Sequence, residues 1–413
     1  MSSSTETAAA IDFTDLNRFA SEGIPYAGLA RLQREDPVHW HPVANESGFW
    51  LLTRHEDVTR ISRDWRTFSS EPIHGGITGF TARDRAVRGK VSAETIIRMD
   101  PPEHTKYRRF VSDGVMPSAV RKVADKIRRL SIDLIEQNLD KPVFDFVTQI
   151  AAWIPLEAVA ELGAIPDDDR RQMFEWVNTI VGPDDPEYAP TPEELSRALT
   201  SIREYCLALY GVRSQDLGED ILSMMIKGEI NGGRVPPDRA VSFFQFLFSA
   251  GSETTRTALS HGVMGLSEYP DQYEILRKDP EAVVATGVEE ILRWSSPVIY
   301  FLRGVTQDVE LHGKQIRAGD RVMICYAAAN RDDSKFENPF TFDITRKNNP
   351  HLAFGGTGPH NCLGANLARL EMKIFFEELA KRVSKITIMG EPSLLRSNLN
   401  PGIKHLPVRF ERA

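Results

Sequence analysis

Residues 354–369 read Phe-Gly-Gly-Thr-Gly-Pro-His-Asn-Cys-Leu-Gly-Ala-Asn-Leu-Ala-Arg, with glycines at 355, 356, 358 and 364 crowded around Cys362. Glycine lets backbone pass close to a ligand and adopt positive φ, so amide N–H groups can be aimed at the sulfur. A helix expected from about Gly364 adds partial positive charge at its first turn, which favours a thiolate. A thiolate ligand to a soft or borderline metal needs these surroundings. A buried, unligated cysteine in a Gly-rich turn is the competing reading. Zinc is poorly served, because no second Cys or His pair lies at usual spacing. Cys206 and Cys325 have no such neighbours and read as core residues. Three widely spaced cysteines argue against a disulfide framework and point to a reducing compartment. They also exclude a four-cysteine cluster made by one chain.

A second group is Ala250-Gly251-Ser252-Glu253-Thr254-Thr255, half-way along an expected helix. Helix interiors disfavour Gly by about 1 kcal/mol relative to Ala. An acid–Thr pair in an apolar helix also costs desolvation unless it finds partners. Such a helix either makes room for a ligand or packs closely at Gly251 with Thr254 bonded back to a carbonyl. Glu290-Ile-Leu-Arg293 places opposite charges at i, i+3 on one helix face, by itself an ordinary solvated pair. In Asp100-Pro101-Pro102-Glu103-His104 the prolines mark a helix start, with His104 and Arg108 one turn apart on one face.

The elements that must carry these groups are mostly helical. Helical periodicity dominates from about residue 101 to 295, including Ala119–Glu136, where apolar residues recur three and four apart. Pro236-Pro237-Asp238 opens a helix of about 30 residues, roughly 45 Å long and apolar at its middle, which should run through the core. The stretch 181–197 holds four prolines and reads as a loop. Two β-rich runs lie within Pro37–Arg54 and a short helix within Glu56–Trp65. Further short strands fall within 305–327, a helix within 364–383 and a β-like tail within 386–410. Sheet is thus expected at the two ends of the sequence. The chain has 413 residues, 41% of them hydrophobic, and a net charge of −8, which argues against a general polyanion binder. There is no repeat or low-complexity linker, so residues 12–413 read as one domain behind a disordered tail of residues 1–11. No run approaches the roughly 18 apolar residues of a spanning helix, and a cytoplasmic protein with no membrane span is expected.

Taken together and in this order, the motifs resemble those of the bacterial cytochrome P-450 superfamily of haem-thiolate monooxygenases. The resemblance implies a mainly α fold with minor β, a helical prism whose long central helix crosses a haem. Cys362 would be the iron ligand, with Gly358, His360 and Gly364 at the family's spacing from it. Phe354 stands eight residues before the cysteine, whereas the commonest pattern has Phe seven before, where this chain has Gly355. No CxxCH occurs, so the haem would be haem b, held without thioether bonds. Ala250 and Gly251 would lie over the haem, with Thr254 and Glu253 as the oxygen-activating and proton-delivering pair. His104, Arg108, Arg303 and His360 would hold the propionates, and Glu290 and Arg293 would form a buried structural pair. The implied activity inserts one atom of O2 into a C–H bond of a hydrophobic small molecule. Its electrons would come from a ferredoxin and ferredoxin reductase, since no nucleotide or flavin motif is present. Lys106, Arg109, Arg121, Lys122, Lys126, Arg128 and Arg129 form a basic stretch that would receive the acidic ferredoxin. No nucleic acid is implied as a partner.

Phe243, Phe246, Leu247, Val298, Ile299 and Phe301 suggest an apolar substrate pocket, and loops 75–79 and 181–197 its entrance lids. Stretches at 185–189, 338–343 and 402–405 resemble the actinobacterial branch acting on cholesterol side chains and methyl-branched lipids. That branch usually carries Asn where this chain has Ser252, and terpenoid alcohols such as linalool fit equally well. A carrier-bound biosynthetic intermediate and a non-catalytic haem-thiolate sensor or carrier are the alternatives. The retained Glu253–Thr254 pair speaks against a sensor, which needs no proton delivery.

Overall fold

Helix starts follow from local chemistry. Asp15, Thr191, Asp220 and Asp279 each accept backbone N–H bonds from the first turn of the following helix. Prolines open five further or coincident starts at residues 117, 192, 237, 270 and 280, where a missing N–H costs nothing. The computed structural model describes residues 11–44, 46–76, 95–189 and 191–413. Its α-helices in chain order are α1 (Leu16–Glu22), α2 (Tyr26–Glu35), α3 (His55–Arg63), α4 (Glu103–Ser112), α5 (Pro117–Arg121), α6 (Ala124–Asn138) and α7 (Trp153–Leu162). There follow α8 (Asp167–Val181), α9 (Pro192–Gln215), α10 (Ile221–Lys227), α11 (Pro237–Glu268), α12 (Pro270–Lys278), α13 (Pro280–Ser295), α14 (Tyr326–Ala329) and α15 (Ala365–Arg382).

The long helix is as expected: α11 runs 32 residues and packs on α7, α8, α9, α13 and α15. Two expectations need correction. Residues 119–136 are not one helix, because the chain breaks at 122–123 between α5 and α6. The proline-rich loop is shorter than 181–197, since α9 begins at Pro192. The signal was in the sequence: the Thr191 hydroxyl accepts from Glu194 N–H at 3.1 Å and lies 3.3 Å from its carboxylate, a capping box.

The strands are β1 (Val38–Val43), β2 (Glu46–Leu52), β3 (Phe68–Ser69), β4 (Phe144–Asp145), the hairpin β5–β6 (Glu229–Ile230, Gly233–Arg234), β7 (Tyr300–Val305), the hairpin β8–β9 (Val309–Leu311, Lys314–Ile316), β10 (Arg321–Cys325), β11 (Val383–Ile388), β12 (Ser393–Leu394), β13 (Ile403–His405) and β14 (Pro407–Arg412). The main sheet has the order β1-β2-β10-β7-β3. Strands from both ends of the sequence, β1–β3 and β7 with β10, thus meet in one sheet. β2 lies parallel to β10, with Trp50 opposite Val322, so residues 272 positions apart share one ladder. Of the expected tail of residues 1–11, residues 1–10 lie outside the described residues. Ile11 packs against the small core beside β1 and β2. No helix among the described residues is long and apolar enough to cross a membrane.

Candidate active site

The cysteine loop is set down on α3 by backbone contact. A Cβ at Gly358 would stand 1.7 Å from the Ser62 carbonyl oxygen, so only glycine fits there. Gly355 and Gly356 take φ of +88° and +73°, turning the chain so that Cys362 N–H donates to the Phe354 carbonyl at 2.9 Å. The Gly364 amide bonds the Cys362 sulfur at the start of α15, as the sequence suggested. Burial pushes the thiol up, against the pull of that amide and of Arg108 and Arg369. Cys362 nevertheless presents open surface. The two facts agree once the geometry is seen: it lies deep in the protein and opens onto an internal cavity. Cys206 and Cys325 are core residues whose thiols burial pushes up to about 12.

Phe354 is held from outside by a layer that the sequence motifs did not indicate. The Arg369 guanidinium lies 4.5 Å over its ring and donates to Glu289 at 2.6 and 2.8 Å. His351 Nε2 lies 2.9 Å from the same carboxylate. Burial alone would raise the Glu289 carboxyl, but the bonds from Arg369 and His351 outweigh it and hold it at about 2 against an ordinary 4.5. A depressed carboxyl stabilises the fold above its unfolded pKa, and that contribution fades as pH falls through the folded value. Glu289→Gln should therefore unfold at lower denaturant than wild type at pH 7, with the gap closing as pH falls from 4.5 toward 2. A gap that persists unchanged in acid would contradict this.

The cavity has a volume of about 220 Å3. α11 contributes Phe243, Phe246, Leu247, Ala250, Gly251 and Thr254; Val298 and Phe301 border it near β7; Phe354, His360, Cys362 and Gly364 border it from the loop. Ile299 does not line it. It is fully buried with Tyr300 and Leu302 in the core under β1 and β2. Of the two lid candidates, residues 77–79 lie outside the described residues.

The centre of α11 combines both sequence readings. A Cβ on Gly251 would come within 2.7 Å of Val159 on α7, and Thr254 donates to the Ala250 carbonyl at 2.9 Å. These are the packing and back-bonding of the bland reading, yet both residues also face the cavity. Glu253 is not among the cavity residues. It is buried behind α11, ion-paired to Arg256 and 3.3 Å from the Thr257 hydroxyl. Burial raises its carboxyl against the pull of Arg256. Arg256 also donates to Asn178 on α8 at 2.6 Å and lies 5.7 Å from the Tyr188 ring.

His104, Arg108, Arg303 and His360 converge from three distant segments. The His104 and His360 rings are 4.3 Å apart. Burial first, then Arg108 and Arg303, holds His104 down at about 4, so it is a neutral donor or acceptor at physiological pH. Burial first, then Arg303 and His104, holds His360 well below its ordinary range. His104 Nδ1 and His360 Nε2 are buried without a hydrogen-bond partner. Among the described residues Arg303 donates to the Leu302 carbonyl at 2.9 Å, and no carboxylate is ion-paired to it or to Arg108. Two desolvated cations and two orphaned imidazole nitrogens are what a bound dicarboxylate would satisfy.

Behind the loop, Glu290 and Arg293 are completely buried and joined by bonds of 2.7 and 2.8 Å. Arg293 also donates to the carbonyls of Asn330, Pro339 and Thr341, and Glu290 accepts from Asp343 N–H, Arg346 and Asn349. The pair is a knot for residues 330–349, not a solvated bridge.

A mainly helical fold with one long helix facing a cysteine-bearing loop across a cavity defines the haem-thiolate class. Comparison with known proteins agrees. The cytochrome P450 family model matches residues 212–394. A steroid C26-monooxygenase of Rhodococcus jostii is 37% identical over 97% of this chain and 85% of its own length. A methyl-branched lipid omega-hydroxylase of Mycobacterium bovis is 38% identical over 97% and 93%. A Mycobacterium marinum cytochrome P450 solved in complex with pseudoionone superposes with a TM-score of 0.88, at 31% identity over 97% and 98%. The chain belongs to the cytochrome P450 family, and it is a monooxygenase.

Membership implies a haem-thiolate cofactor, and the residues fit one. The sulfur opens on the cavity, a Cβ on Gly364 would meet nothing within 4 Å, and His104, Arg108 and His360 border the same cavity, both imidazoles with an orphaned nitrogen, whereas Arg303 stands behind its lining.

Proposed function

We propose that this chain hydroxylates a hydrophobic steroid, terpenoid or branched lipid, with electrons from a ferredoxin and its reductase in a reducing cytoplasm. The observation that carries the proposal is the cavity: beyond Thr254 its substrate side is built from Phe243, Phe246, Leu247, Val298 and Phe301, with no charged group among them. Such a wall selects by shape and apolar area. Relatives and a structural neighbour that act on or bind steroids, branched lipids and a terpenoid ketone support the same class.

Bound haem b would supply the oxidising chemistry, and Cys362 would hold its iron. Arg108 and Arg303 would neutralise the propionates, while His104 and His360, held neutral, would hydrogen-bond them without adding repulsion. Thr254 can exchange its bond to the Ala250 carbonyl for one directed into the cavity, holding a proton at its Oγ beside the reacting centre. Glu253 would recharge it, and because its carboxyl faces Arg256, that delivery requires Arg256 to let go. Phe354, pinned under Arg369, shields the sulfur from water. The cavity draws on residues from Ile96 to Met372, which supports reading 12–413 as one unit.

For the ferredoxin, Arg109, Arg121, Lys122 and Arg129 are exposed. Lys126 is committed to Glu157 and Glu161, and Arg128 to Glu377 and Glu378, so these two contribute less to docking than the sequence suggested.

A panel of cholest-4-en-3-one, a methyl-branched fatty acid, linalool and pseudoionone, with glucose as the polar control, tests the reading. At least one apolar compound should shift the haem spin state and, with NADH, ferredoxin and reductase, give a product carrying one 18O atom from 18O2. A spin shift by the polar control alone, or turnover without labelled product, would defeat it.

A further inference from the structure

Two stretches that stand out in the sequence, 185–189 and 402–405, have no part in the site above, yet the fold joins them. Residues 182–189 lead from α8 toward α9, and both helices pack on α11, the helix that builds one wall of the cavity. Tyr188 of this loop lies 5.7 Å from Arg256 of α11. A loop between two helices that rest on the wall-forming helix is placed to admit ligands when it lifts.

The surface it rests on is fixed. β13 packs on α11, and β4 pairs with β14. Asp145 of β4 accepts from the N–H groups of Val147 and Leu406, each at 3.0 Å, and from the Thr148 hydroxyl at 2.9 Å. His405 of β13 stands between loop and support. Its Nδ1 lies 2.6 Å from Asp145 Oδ2, and its Nε2 lies 2.6 Å from Glu187 Oε1. Beside it Lys404 Nζ reaches Glu187 at 2.8 Å and the buried Asp185 at 3.2 Å. Arg396 adds its N–H to the Asp185 carboxylate at 2.9 Å and its guanidinium to the Asp184 carbonyl at 2.7 Å.

An imidazole with an acceptor on each nitrogen must carry both protons, because the neutral ring has one N–H and one lone pair. Losing a proton sets that lone pair against a carboxylate. Burial alone would lower the ring, but Asp145 and then Glu187 outweigh it and raise His405 above its ordinary 6.5. A raised imidazole contributes in full at low pH, and its contribution is lost as pH rises through the folded value. Lys404 holds Glu187 without depending on that proton, so its loss loosens the loop and does not free it.

We propose that His405 is a pH-dependent latch on residues 182–189: its imidazolium ties Glu187 to Asp145 and keeps the loop down on α11, and loss of one proton loosens the loop and speeds the passage of apolar molecules into and out of the cavity. The proposal rests on the reading above only for the kind of molecule that passes.

The haem-loaded enzyme gives two readouts. tert-Butyl isocyanide, a bulky haem ligand that is neutral at every pH used, should dissociate several-fold faster at about pH 8.5 than at about pH 6, above and below the imidazole range. Amide exchange across 183–189, corrected for the intrinsic effect of pH, should accelerate over the same interval. His405→Gln should be fast in both readouts and flat with pH. His405→Arg, whose planar fork keeps its charge and can bridge the two carboxylates, should be slow and flat. Glu187→Gln, which removes the loop's side of the latch, should flatten the profile without touching the histidine. A wild type in which either rate ignores pH, a His405→Gln or Glu187→Gln variant that keeps the wild-type profile, or a His405→Arg variant as fast as His405→Gln would overturn the proposal. Should His405→Gln not fold, the wild-type and Glu187→Gln profiles decide. Should wild type turn over none of the panel above, the substrate reading fails, whereas isocyanide release and amide exchange still decide the latch.

Discussion

Cys362→Ala should lose the thiolate-shifted Soret band of the ferrous–CO haem and with it more than about 100-fold of turnover. That bound is conservative, because partners one layer outside a metal ligand are already worth about 10–100-fold. The loop itself should survive the change. Its shape is set by the Phe354 carbonyl accepting the residue 362 N–H, by the two positive-φ glycines and by the seat of Gly358 on α3, none of which needs the sulfur. Cys206→Ala and Cys325→Ala serve as controls. Both thiols are core groups pushed up to about 12, and neither borders the cavity, so both variants should keep the band. A Cys362→Ala protein that retained the thiolate-shifted band would refute the ligand assignment.

Arg293→Ala should leave little folded, haem-binding protein. Removing one partner of a buried pair costs about 3–5 kcal/mol, because the other charge stays behind without its counterion. Three carbonyls, at Asn330, Pro339 and Thr341, also lose their donor. A domain holds only about 5–15 kcal/mol in total, so this single change consumes a large share. Arg293→Lys should rescue poorly, since an ammonium cannot reproduce the planar fork that binds Glu290 twice and the carbonyls besides. Yield of haem-loaded protein and urea unfolding of whatever folds measure the effect. An Arg293→Ala protein of near-normal yield, destabilised by less than about 1 kcal/mol, would show that the knot is dispensable.

Much of the site was legible in the sequence because its chemistry is local. Cys362 and its glycines occupy one short loop, and the Gly251–Thr254 segment occupies one helix. Residues on one loop or one helical turn keep their relation whatever the rest of the chain does. The long helix was legible for a similar reason: proline at the start and no breaker afterwards. The Thr191 capping box was equally present and simply outweighed by four nearby prolines.

What one residue type cannot declare is its facing. Ile299 follows Val298 of the cavity wall yet turns into the core, and Glu253 adjoins Thr254 yet points behind the helix to Arg256. Spacing alone gives Glu290–Arg293 the value of a surface pair. Complete burial, together with the partners from 330 to 349, makes it a knot. Lys126 and Arg128 read as free basic surface until Glu157, Glu161, Glu377 and Glu378 arrive from other helices.

Sequence alone thus determined the elements and the loop-borne chemistry, since short-range sterics, capping and helical period act within a few residues. Tertiary structure decided the pairing of β2 with β10 and the meeting of His104 and His360. Those outcomes depend on which distant surfaces exclude water together. Burial then fixes which charges are paired and which protons are held.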